Sequence, residues 1–133
     1  MNQPLLVTAA IIEEDQKFLL IKRAREPFKD YWCFIGGCGA FEETSDPKEA
    51  VKFEVMGDIN CKFNPKFFIY NQEMFEVPTL TLFFYGKIEG TPVIIPKYVS
   101  EYKWFDKFEI KKLDLGFDHK VILNKYLKRF LPE

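Results

Sequence analysis

With 133 residues the chain fits one domain, and about two thirds of its unfolded surface can be buried in a single core. Hydrophobic residues make up 47% of it and Phe alone occurs 15 times, which excludes a disordered chain. Lys and Arg total 19 against 20 Asp and Glu, a formal net charge of −1, so no field recruits nucleic acid or an anionic membrane.

Residues 4–13 and 17–23 read as two strands around the polar turn Glu14-Asp15-Gln16. The first apolar stretch is short, is interrupted by Thr8 and has no basic lead, so it is a strand rather than a signal segment. No run approaches the roughly 20 apolar residues that a membrane helix needs. A cytoplasmic protein is expected.

Residues 31–35 form a short aromatic and β-branched run suited to a half-buried strand, and Gly36-Gly37 then lets the backbone turn where a side chain would clash. Glu42, Glu43 and Asp46 make the next loop acidic. Pro47 suits the first position of a helix, Asp46 or Ser45 can cap it, and Glu49 complements its dipole. The spacing predicts a helix over 47–59. Within it Val51, Val55 and Ile59 repeat every four residues as a core stripe, while Glu54 and Asp58 stack one turn apart on a neighbouring face. Two such carboxylates can hold a divalent ion, although a solvated helix face has the same pattern.

Cys33, Cys38 and Cys61 are odd in number and lack metal-ligand spacing; Cys33 and Cys61 read as small buried hydrophobes. Residues 63–71 and 79–89 read as a second pair of strands across a connection from Glu73 to Pro78. Bulk on both faces of 79–84 marks that strand as central to a sheet. The apolar segments within 67–85 fit either a plain buried core or an edge that pairs two copies in a homodimer. Gly90-Thr91-Pro92 breaks the chain, a proline-bounded connection covers 93–98, and a strand follows over 101–105. The last element, 118–130, places Val121, Ile122, Lys125, Tyr126 and Phe130 at helical spacing, with Lys120, Lys125, Lys128 and Arg129 as a solvated basic cluster. Two helices on opposite faces of a mixed sheet give an α/β/α sandwich.

The stretch from 31 to 61 resembles the signature of the Nudix (MutT-like) hydrolases, in which a double glycine, a loop glutamate and a helix carrying arginine-glutamate and then a glutamate pair position magnesium on a diphosphate. Gly36 and Gly37 match the glycines, Glu54 the glutamate after the arginine, Val55 the apolar position and Asp58 the second member of the pair. Phe53 stands at the arginine position, Gly57 at the first glutamate of the pair and Asn60 at the closing glycine, where asparagine is the next best residue for ending a helix. Aligned on Glu54, the loop is two residues longer than the signature and Ser45 takes the loop-glutamate position; aligned on the glycines, Glu43 takes it. Residues 5–25 are similar to the family's opening hairpin and 99–127 to its closing strand and helix, with Glu101 to Phe105 and Phe117 to His119 as the most telling pieces.

The resemblance implies a single Nudix-type domain over 1–133, an α/β/α sandwich with a central mixed sheet, hydrolysing nucleoside diphosphate derivatives with Mg²⁺ or Mn²⁺. It implies Glu54, Asp58 and Glu101 as metal ligands, Glu54 and Asp58 with Glu43 or Glu42 from the loop as the catalytic carboxylates, and Arg23, Gly36, Gly37 and Glu101 on the substrate side. An arginine fork suits phosphate oxygens. With Phe53 in place of the arginine, the neighbouring carboxylates lose an ordering partner and the ring must find an apolar contact. Gly57 removes a ligand and costs about 1 kcal/mol of helix propensity relative to alanine. Weak or atypical hydrolysis is the leading expectation; a catalytically inactive domain that binds a nucleotide or a protein is the alternative.

Overall fold

Alternating apolar residues and short polar turns set the frame of the computed structural model, which describes residues 3–132 apart from the side chain of Phe75. Strands β1 (Leu5–Glu14) and β2 (Lys17–Arg23) form an antiparallel hairpin that reverses where Asp15 and Gln16 take left-handed backbone angles. The expected strand over 31–35 is split into β3 (Trp32–Cys33), which pairs with β2, and β4 (Ile35–Gly37), which crosses to β1. Both short strands pair on the inner edges of the hairpin, where β1 and β2 part beyond their turn.

A short 3₁₀ turn, Gly39–Glu42, leads to helix α1 (Pro47–Ile59). Strands β5 (Lys62–Phe75) and β6 (Val77–Glu89) then form a hairpin longer than the sequence suggests, because Glu76, at φ 65°, reverses the chain in a single step. The expected open connection from Glu73 to Pro78 is therefore mostly paired strand. β6 lies between β1 and β5, parallel to β1 from Leu5 against Thr79 to Ile12 against Gly86. Its two bulky faces are both covered, as expected of a central strand.

Strand β7 (Val99–Asp106) pairs with β2. A short helix, α2 (Lys107–Lys111), follows directly; its capping box, in which the Asp106 carboxylate accepts from the amides of Phe108 and Glu109, is legible as Asp-x-x-Glu yet is absent from the sequence reading. Helix α3 (His119–Phe130) closes the fold. It turns His119, Ile122, Leu123, Tyr126 and Leu127 inward and leaves Val121, one of the residues at the expected helical spacing, half exposed. Among the described residues no helix is long and apolar enough to cross a membrane.

The seven-stranded mixed sheet thus separates two cores. On the α3 face Phe18, Phe34, Phe68, Phe83, Phe105 and Tyr126 pack with Ile110 and the inward residues of α3. On the α1 face Ala10, Ile12, Leu19, Ile21 and Ile35 meet Val51, Val55 and Ile59, with Cys33 and Cys61 buried among them. The α/β/α sandwich is the architecture that the sequence implies.

Candidate functional site

Helix α1 supplies the site, and its ends explain its placement. The Asp46 carboxylate accepts from the amide of Lys48 (3.0 Å), Pro47 opens the first turn, and Asn60 closes the helix at φ 56°, ψ 40°. Beyond it, the amides of Val93 and Ile95 donate to the carbonyls of Ile59 and Asp58 (2.9 and 3.0 Å), so the 93–98 connection satisfies acceptors that a helix end leaves open. With Val51, Val55 and Ile59 buried against the sheet, Glu54 and Asp58 fall on the flank, each partly buried.

Glu54 is fixed by the glycine turn and the loop. Its Oε1 accepts from the amide of Ala40 (3.0 Å), which ties α1 to the 3₁₀ turn. Its carboxylate lies against Gly37, where an added Cβ would stand 2.7 Å from Oε2. Gly36 faces β1, and a Cβ there would come within 2.5 Å of the Thr8 carbonyl oxygen. Strand pairing thus dictates one glycine and the acidic side chain dictates the other.

Asp58, one turn on, is pushed up to about 7 by burial and by the Glu54 charge, with Arg23 and Arg25 pulling the other way. Two carboxylates that disfavour each other's charge, with only partial relief from the arginines, are an arrangement that a divalent cation would stabilise. Arg23, at the end of β2, donates from Nε to the Pro27 carbonyl (2.6 Å) with its guanidinium carbon 5.1 Å from the centre of the Phe117 ring. The Arg25 guanidinium sits 4.6 Å from the centre of the Tyr98 ring. The Cys33 thiol beneath Arg23 is raised to about 12 by burial and is no nucleophile at neutral pH.

The other sequence candidates lie apart from the pair. Glu42 and Glu43 are exposed on the 3₁₀ turn and just after it. Glu101 is opposite Lys22 in the β2–β7 ladder, with Oε2 3.9 Å from Nζ. Its neighbour Tyr102 packs into the α1-face core, so Glu101 points to the α3 face, opposite Glu54 and Asp58. Among the described residues no three His, Cys, Asp or Glu side chains are grouped to hold a metal ion. Phe53 is 50% exposed. Gly57 faces open space, with nothing within 4 Å of an added Cβ. The sequence reading missed Arg25 and Tyr98; the alternation of Arg23 and Arg25 after a strand was the available signal for the first.

Glu54 and Asp58 still fit Mg²⁺, because that ion commonly takes one or two carboxylates and completes its shell with water and substrate phosphate oxygens. The glycine turn leaves backbone close to the pair, and the two arginines add positive charge for an anion.

By sequence, no family model and no curated protein matches the chain. Solved structures do match it. The Nudix domain of Shewanella oneidensis NrtR, complexed with ADP ribose, superimposes with a TM-score of 0.85 at 18% identity, covering 97% of this chain and 90% of that one. A MutT Nudix hydrolase from Burkholderia pseudomallei gives 0.81 at 20% identity over 92% and 98%. A bifunctional NMN adenylyltransferase/ADP ribose pyrophosphatase from Francisella tularensis, complexed with AMP and a manganese ion, gives 0.75 at 17% identity over 97% of this chain and 42% of that one. The chain has the Nudix, MutT-like fold, across nearly its whole length.

Proposed function

We propose that the protein binds a nucleoside diphosphate derivative with Mg²⁺ or Mn²⁺ at Glu54 and Asp58 and hydrolyses its phosphoanhydride slowly. The carrying observation is the carboxylate pair itself: partly buried, mutually repelling, packed on the Gly37 turn and flanked by Arg23 and Arg25. The ADP ribose and AMP complexes of structural neighbours support a nucleotide-derived ligand.

A divalent cation bound there supplies charge neutralisation and an acidified water. The chain's own residues do the rest. Glu54, held by the Ala40 amide, presents a fixed carboxylate at low reorganisation cost. Asp58, whose charge is disfavoured by burial and by Glu54, presents the second carboxylate, one that a bound cation would stabilise in its ionised form. Arg23 and Arg25 orient the diphosphate by charge. Slow turnover follows from the missing carboxylate at Gly57, since losing one positioned ligand or base costs on the order of 10² to 10⁴ in rate.

Phosphate release from a panel of nucleoside diphosphate derivatives with Mg²⁺ tests this reading, using wild type and the double variant Phe53→Arg/Gly57→Glu. Both positions are open to solvent, so the variant is expected to fold as well as wild type and to hydrolyse at least one compound faster. A folded variant with no gain on any compound would count against hydrolysis. It would favour the second reading, a domain that binds a nucleotide or a protein without turnover, which rests on the lack of a third carboxylate beside the pair among the described residues.

A further inference from the structure

The segment that carries Arg23 is braced more heavily than a surface loop requires. The Arg23 amide donates to the Tyr31 carbonyl (3.1 Å) and the Arg23 carbonyl accepts from the Asp30 amide (2.9 Å), so its backbone is pinned at both atoms. Across from this loop, the Gly116 amide donates to the Trp32 carbonyl (2.9 Å), docking the approach to α3 onto β3. Gly116 admits the loop because a Cβ there would come within 3.2 Å of Phe28 Cβ. Phe28 and Phe117 then meet with ring centres 4.6 Å apart, and both hold left-handed backbone angles, φ 60° and 56°.

Left-handed angles at a bulky residue cost on the order of 1 to 3 kcal/mol and persist only where the surroundings impose them. Here two such residues, far apart in sequence, face each other, and one of them, Phe117, lies against the Arg23 guanidinium. The Phe117 ring also lies 5.3 Å from the ring of His119, which is itself held neutral by burial and by Arg23. The Arg23 guanidinium is thus held by a carbonyl on its Nε and by an aromatic ring centred 5.1 Å from its carbon.

We propose that Phe117 is a positioning residue: its ring, backed by Phe28, holds the Arg23 guanidinium in one orientation beside the carboxylate pair, so that Arg23 meets an anionic ligand already ordered. The ligand part of this statement rests on the function proposed above; the ordering of Arg23 does not. Preordering one long side chain removes an entropy cost from binding, so its loss should be read as weaker affinity rather than as a changed ligand preference.

The test pairs a structural readout with a binding readout on the full chain. In ¹⁵N-labelled protein the Arg23 Nε–H signal, assigned by its loss in Arg23→Gln, is expected to exchange slowly. In Phe117→Leu it should exchange roughly three- to thirtyfold faster, the scale of a cation–π contact, while Phe117→Tyr should restore the slow rate. Calorimetric titration with ADP and Mg²⁺ is expected to show a similar fold loss in Phe117→Leu, recovery in Phe117→Tyr, and no further loss when Phe117→Leu is added to Arg23→Gln. If Phe117→Leu destabilises the fold on thermal melting, Phe117→Met serves in its place. Unchanged Arg23 exchange in a folded variant, or full additivity with Arg23→Gln, would overturn the positioning role. Faster Arg23 exchange in a protein whose wild type binds no ADP would uphold the positioning and overturn the functional reading instead.

Discussion

The two faces of the sheet are built from different materials. The α3 face is an aromatic core in which Phe18, Phe68, Tyr85, Tyr126 and Phe130 meet at ring-centre distances of 4.7 to 6.3 Å. Its one histidine, His119, accepts from the Phe34 amide through Nδ1 (3.1 Å) and is lowered to about 3 by burial. The α1 face is aliphatic at its centre and ends in charge, with Glu54, Asp58, Arg23 and Arg25 at one margin. The α3 face satisfies its histidine internally; the α1 face stacks the Glu54 and Asp58 carboxylates one turn apart in mutual repulsion. That difference separates a scaffold from the proposed site.

The largest expected effect lies on the scaffold side. Phe83, fully buried on the α3 face, should cost ~3 to 5 kcal/mol as Phe83→Ala. Urea unfolding measures it, and a loss below 1 kcal/mol would mean that this core relaxes far more than its packing suggests.

Gly37→Ala strikes the seam where the site meets the scaffold. The added Cβ displaces the Glu54 carboxylate, so stability should fall by ~1 to 3 kcal/mol. Mg²⁺ affinity should fall with it, by about tenfold, the scale of losing one supporting contact at a metal ligand. Calorimetry at matched folded fraction separates the two effects; intact Mg²⁺ affinity would detach Glu54 from the metal.

Asp58→Asn should act in the opposite sense on stability. A carboxyl whose native pKa is raised to about 7 binds its proton more tightly folded than unfolded, so its contribution falls as pH rises from about 4 to about 7. His119, depressed to about 3, contributes stability above its unfolded pKa of about 6.5 and loses it as pH falls toward 3. The two slopes oppose each other in mildly acidic solution. Removing Asp58 should therefore stabilise the protein at pH 8 by ~1 to 2 kcal/mol and leave the acid side steeper. A variant less stable than wild type at pH 8 would show that Asp58 is satisfied in the native state, and the contrast between the faces would fail.

Local signals made α1 legible in the sequence: Asp46, Pro47, the four-residue stripe and Asn60 all act within one turn of where they stand. The same holds for the first hairpin and for the central place of β6, whose bulk on both faces required two covering layers. The split of residues 31–37 between two partners was not legible, because partner choice is decided by β1 and β2 together. Nor was the exposure of Phe53, since helical spacing locates a face but not the edge of what covers it. At the site, spacing brought Glu54 and Asp58 together, whereas Glu101 required the register of β7 against β2. A single step along a strand reverses the side a residue faces.

The central seam of the sheet joins β1 to β6, one from the beginning of the chain and the other from its second half, in the only parallel pairing among the described strands. The β1–β2 hairpin can form as soon as it emerges from the ribosome, but β1 must keep its other edge open until Glu89 has been made. Closing so long a loop late gives the chain a slow search. Throughout synthesis the apolar β1 edge is exposed to any other strand in reach, so the yield of folded protein should depend on translation speed and chaperone supply more than its small size would suggest.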